Sequence, residues 1–197
     1  MKNVFKIAAV AVAMFFGAVQ NSSAQFEVGT NVINVGVGIG GAYLSGWTGY
    51  NKSQTPAIGL SFEHGMWEAG SGTISLGAYV GYKSIKDEYV DPYYNYSESW
   101  KWTYTIIGAR GAYHFDVDND KLDLYLGAML SYNILTFKYT NNDPYYYNFY
   151  NSTWSYPSYV GFSGFGGIRY YLSDNIGLNA ELGYGVAYLT LGASFKF

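Results

Sequence analysis

The chain has 197 residues, no cysteine and a formal net charge of −3, with 13% charged and 20% aromatic residues. Its acidic balance lacks the basic footprint of a nucleic-acid binder. Its charged fraction is about half of the roughly 25% usual for water-soluble domains.

At the N-terminus, Lys2 and Lys6 precede an uncharged apolar run, Ile7 to Val19, which is followed by Ser22-Ser23-Ala24. This reads as a secretory signal cleaved between Ala24 and Gln25. The run is shorter than the roughly 20 residues of a spanning helix. Residues 1–24 are therefore the expected signal peptide and 25–197 one β-barrel domain.

Eight segments of the mature chain alternate apolar side chains with Gly, small or polar ones, the period-two signature of a strand. The first, Val32 to Ala42, presents Ile33, Val35, Val37 and Ile39 on one face. The second is Ala57 to His64, and the third, Thr73 to Lys83, sets Leu76, Val80 and Tyr82 against Ser75, Gly77 and Gly81. The fourth, about Thr103 to Phe115, breaks phase: Ile107, Ala109 and Tyr113 lie on one parity, while Trp100, Trp102, Tyr104 and Ile106 lie on the other. Either a bulge separates its halves or its upper part stands above the bilayer. The fifth, Leu122 to Ile134, is the most regular, and the sixth is Tyr159 to Leu172. The last two run from Ile176 to Tyr184 and from Leu189 to Phe197.

A soluble sandwich would expose the second parity, and here that parity is Gly-rich and poor in charge. It suits a narrow lumen, with lipid touching the apolar face. Long connections (Tyr43 to Pro56, Ser84 to Lys101, Thr136 to Ser158) alternate with short ones, as outer-membrane barrels require, and only the tight turn near Gly185 and Val186 departs from this. The expected fold is all-β, an eight-stranded antiparallel up-and-down transmembrane β-barrel in the cell outer membrane of a Gram-negative envelope, with outer-membrane lipid as its surroundings.

The strand Gly108-Ala109-Arg110-Gly111-Ala112-Tyr113-His114-Phe115 and the ending Phe195-Lys196-Phe197 resemble the outer-membrane-protein β-barrel domain family, small eight-stranded barrels of the OmpA/OmpX type. The resemblance implies that the terminal aromatic, Phe197, is read by the barrel-assembly machinery. It implies no shared catalytic residues.

Glu63, Arg110, His114, Asp123, Arg169 and Glu181 are expected inside the barrel. Folding about Asp174 sets Arg169 opposite Asn179 and diagonal to Glu181. Folding about Asn119 sets His114 opposite Asp123. Such charges serve as a mutually neutralising plug or, alternatively, line a narrow porin channel for small solutes. His64 and His114 both fall near periplasmic turns, away from outer-leaflet chemistry, so an enzyme, in particular a lipid-modifying one, is not expected. No Cys/His cluster suggests a metal, and glycines that alternate within a strand do not make a phosphate loop, so no cofactor is expected.

Function is expected at the exposed loops. Tyr93, Tyr94 and Tyr96 in the third connection, and Tyr145, Tyr146, Tyr147, Tyr150 and Trp154 in the fifth, sit among Asn and Ser. That mixture gives a sticky, hydrogen-bonding surface suited to a host glycan or protein ligand. The same residues also suit the tops of tall strands, forming cross-strand aromatic pairs.

Overall fold

The computed structural model describes residues 26–42, 52–91, 93, 96–141 and 152–197. The expected cleavage site at Ala24 and Gln25, and Tyr94, Tyr145, Tyr146, Tyr147 and Tyr150, lie outside these.

Among the described residues the strands are β1 (Asn31–Ile39), β2 (Lys52–Gln54), β3 (Ala57–Ala69), β4 (Gly72–Asp91), β5 (Tyr96–Phe115), β6 (Leu122–Asn141), β7 (Ser152–Ser155), β8 (Tyr159–Tyr171), β9 (Ile176–Tyr184) and β10 (Leu189–Lys196). Neighbours pair antiparallel, and β1 closes on β10 through Val32↔Lys196 to Ile39↔Leu189. With β4 joined to β5, eight strands form a complete ring. Closure gives each of the eight strands a partner on both sides, so the ring presents no open edge to hydrocarbon. The short β2 and β7 continue β3 and β8 upward, alongside β4 and β6.

The strands are unequal. β4, β5 and β6 each run 20 residues, whereas β1, β9 and β10 run 9, 9 and 8. Much of what reads in the sequence as the third and fifth connections is therefore strand: β4 continues to Asp91, β5 begins at Tyr96 and β6 reaches Asn141. The long strands persist because their upper halves have an apolar face of their own. The short ones stop at backbone that few side chains tolerate, as at Gly40 and Gly41 after β1 (φ 74° and 123°).

β5 carries no bulge. Its pairing with β4 is continuous from Asp91↔Tyr96 to Thr73↔His114, and its pairing with β6 from Glu98↔Asn141 to Phe115↔Leu124. One parity faces inward throughout, and the character of each face changes with height. Below, Ile107 and Ala109 face lipid and Gly108, Arg110 and His114 face the lumen. Above, Thr105, Thr103 and Lys101 face out, while Ile106, Tyr104 and Trp102 are buried inside. β6 makes the same exchange: Leu130, Tyr132 and Ile134 give way outside to Thr136 and Lys138, and Phe137 is buried inside. The barrel is inside-out in the membrane and ordinary above it.

The upper core joins Ile85, Trp102, Tyr104, Ile106, Met129 and Phe137 to Ala57 and Val186. Ile85, Trp102 and Phe137 are direct cross-strand neighbours, with Trp102 and Phe137 rings 5.2 Å apart. Each such burial contributes about 1.5–3 kcal/mol. Further down, Tyr79 lies against the wall over the paired glycines Gly59 and Gly81: a Cβ on Gly59 would come within 2.5 Å of its hydroxyl, and one on Gly81 within 2.6 Å of its ring.

Candidate functional site

Two regions hold the residues singled out in the sequence: a polar cluster in the lower lumen and an aromatic rim at the top of the tall wall. The strands bring the first together from five sides of the ring.

Arg169 on β8 lies across from Asn179, and its guanidinium is fully buried. Its Nη2 donates to Glu63 Oε2 at 3.0 Å and to Asn34 Oδ1 at 3.2 Å, its Nε donates to Ser194 Oγ at 3.0 Å, and its Nη1 pairs with Asp123 Oδ2. Arg110 joins the same Glu63 (2.9 Å) to Glu181 (2.7 Å), and Tyr125 donates its hydroxyl to Glu181 at 3.0 Å. Removing a partner from such a buried pair strands the other charge, at a cost of about 3–5 kcal/mol.

The register corrects one expectation. His114 lies opposite Tyr125, not Asp123. The pleat still lets it reach diagonally, and its Nδ1 sits 2.8 Å from Asp123 Oδ1. With that nitrogen donating, Nε2 accepts from Ser75 Oγ at 3.0 Å. Ser75 comes from β4, and no spacing in the sequence distinguishes it from the chain's other serines. The resulting Ser75–His114–Asp123 chain has the order of a catalytic triad. However, Ser75 is 1% exposed, and Phe26 stacks flat on the imidazole, rings 3.6 Å apart and 6° from parallel. A substrate would have to displace that ring, and the wall's backbone N–H groups are committed to strand pairing rather than to an oxyanion. His64 takes no part; it hydrogen-bonds Asn31 at 2.9 Å near the periplasmic end of the wall.

Above Arg110 and Glu181 the lumen widens to a cavity of about 60 Å³, lined by Asn179, Ser61, Ser163, Tyr79, Phe165 and Thr190 among others. This is room for a few water molecules at about 15 Å³ each. Arg110 Nε and Asn179 Oδ1 have no protein partner and border this space. Over it sits the apolar core, and Lys83 closes the remaining gap by donating to the carbonyls of Gly40 and Val186.

At the rim, Trp100 and Tyr139 pair across strands with rings 5.7 Å apart, and Trp154 stacks on Phe137 at 5.6 Å. Trp154 and Tyr156 are about half exposed, and Tyr93 stands 85% exposed. Tyr96 and Tyr139 both donate to the Glu98 carboxylate. Burial, reinforced by the hydrogen bond to Glu98, raises both phenol pKa values. At the C-terminus Phe197 exchanges backbone hydrogen bonds with Asn31, 3.0 and 3.2 Å, fastening the end of the chain to the start of β1.

A closed eight-strand ring with lipid-facing apolar sides is the frame that family comparison sharpens. Residues 47–193 match the model of the Opacity family porin protein. The chain belongs to the Opacity porin family. Similar solved structures include the N-terminal β-barrel domain of Pseudomonas aeruginosa OprF, at 17% identity over 86% of this chain and 98% of that one, with a TM-score of 0.48. Ail, the attachment invasion locus protein of Yersinia pestis, aligns at 13% identity over 86% and 99%, TM-score 0.49. Neisserial surface protein A aligns at 16% over 85% and 95%, TM-score 0.47. No curated protein matches the chain in sequence. As an Opacity-family barrel the protein resides in the outer membrane of a Gram-negative envelope.

Proposed function

We propose that this barrel is a closed, non-catalytic anchor that raises an aromatic surface above the outer membrane to bind a host glycan or protein. The observation that carries this reading is the inversion of the long strands. A barrel that only needed to span the bilayer would end near Ile107 and Ile134, yet β4, β5 and β6 continue with polar residues outside and tryptophan and tyrosine inside. That extension leads into the connections whose sequence carries Tyr93 and Tyr94, and Tyr145, Tyr146, Tyr147 and Tyr150, with Tyr96 opening β5 and Trp154 on β7 beside them. Rigid aromatics lose little entropy when they stack on a partner.

The test is deletion of residues 145–150. Binding of intact cells to host glycan arrays or cultured host cells should be lost, while the barrel's heat-modifiable gel shift remains. Undiminished binding with a folded barrel would overturn the reading.

A narrow solute channel is the second reading, favoured by the 60 Å³ cavity. Against it stand the apolar core above that cavity and the Arg169 cluster below. In the cell, cleavage after Ala24 and recognition of Phe197 by the assembly machinery complete the proposed route to the membrane.

A further inference from the structure

Lys86, Lys101 and Lys138 occupy a single cross-strand row. Lys86 pairs directly with Lys101, and Lys101 with Lys138. Ser53 and Thr153 extend the row on either side. All three lysines lie on the outward parity of β4, β5 and β6. Lys86 is held by Glu88 at 2.9 Å, whereas Lys101 and Lys138 have no ion pair among the described residues. Of the other cations whose side chains are described, Lys83, Arg110, Arg169 and Lys196 are buried, and Lys121 sits at the β5–β6 turn; the backbone of Lys52 pairs with Asp87, on the opposite parity from the row.

Like charges placed directly opposite one another on a sheet repel, and Glu88 supplies one carboxylate to a row of three ammonium groups, so the row calls for further anionic charge. The row's height indicates its source. Lys86 is four residues above the last lipid-facing residue of its strand, Tyr82; Lys138 is four above Ile134, and Lys101 six above Ile107. At about 3.3 Å per residue and a tilt near 40°, that is roughly 10–15 Å above the hydrocarbon edge. A lysine stem can bend back several ångströms from there while keeping its ammonium in the polar layer. Between row and hydrocarbon lie the outward hydroxyls of Thr103, Thr105 and Thr136, which can donate to sugar or phosphate oxygens.

We propose that this row binds the phosphorylated glycolipid headgroups of the surrounding outer leaflet. Three ammonium groups side by side match the several phosphates of one such headgroup, and the row continues the lipid-facing wall directly upward. The proposal rests on the outer-membrane location and uses none of the loop residues, so it stands or falls separately from host binding.

The experiment compares the full-length protein with a K86Q/K101Q/K138Q variant and a K121Q control, each extracted from outer membranes and confirmed folded by gel shift. Phosphate and lipid A co-purifying per barrel should fall at least fivefold in the triple variant and stay unchanged in K121Q. In nanodiscs, bis-phosphorylated lipid A should raise the thermal midpoint of the wild type, and dephosphorylated lipid A should not. Equal retention by the triple variant, or equal stabilisation by dephosphorylated lipid A, overturns the proposal. So does displacement of the effect onto soluble heparin, with lipid A inert. Should the triple variant not fold, K101Q alone and a salt titration of the wild type read the same quantity: retention must fall in both, and retention unchanged in either rejects the headgroup site.

Discussion

Arg169 extends from β8 to Asp123 on β6, Glu63 on β3, Asn34 on β1 and Ser194 on β10, so one side chain ties five strands of the ring together. Its replacement by alanine leaves two carboxylates buried in a lumen that water barely enters. Arg169→Ala should therefore lower the unfolding free energy by about 3–5 kcal/mol, read as an earlier urea midpoint in detergent micelles. Arg110→Ala should cost less, because Glu63 keeps Arg169 and Glu181 borders the cavity. The charged members of this cluster are legible in the sequence, since all fall on the inward parity. Ser75 is not, because choosing it requires the register between β4 and β5. The His114–Asp123 contact shows the same limit from the other side: an error of two residues in the register still leaves the diagonal within reach of both side chains.

β5 shows how a strand can serve two solvents. Its outward residues are apolar from Phe115 up to Ile107 and polar from Thr105 onward, and its inward residues change in the opposite sense at Ile106. A lysine introduced on the lipid-facing stretch pays full desolvation; one introduced above it does not. At mid-depth on the neighbouring β6, opposite Gly111, Ala128→Lys should cost about 2–4 kcal/mol and Thr103→Lys about 0–1 kcal/mol, compared by equilibrium unfolding of the reconstituted protein. Trp102→Ala removes the centre of the upper core and should cost about 3–5 kcal/mol in the same assay without preventing insertion. In the sequence the break in phase leaves open a bulge or an upper part above the bilayer, and the unbroken pairing with β4 and β6 excludes the bulge. The apparent fault in phase is the signature of its emergence from the bilayer.

Among the described residues three tiers fill the lumen: Phe26 against His114 at the base, the arginine–carboxylate cluster above it, and the apolar core over the small cavity. Planar-bilayer recordings of the wild type should accordingly show no steady open level; discrete openings of porin size would contradict the filled lumen. The ring of eight was legible because each segment's greasy parity is nearly unbroken in the membrane, as in Leu122, Leu124, Leu126, Leu130 and Ile134 of β6. The height of the wall was left open between loops and tall strands, because Ser, Tyr and Asn between Ser84 and Lys101 are residues that loops and water-facing strands share.

The adjoining isoleucines 106 and 107 mark where β5 trades one solvent for the other, and Ile134-Leu135 does so on β6. Such a doublet in an otherwise alternating strand is a waterline painted on the hull. Sliding it by two residues in a related barrel would make that barrel float about 5 Å higher or lower. The draught of each such vessel can thus be read from its primary structure.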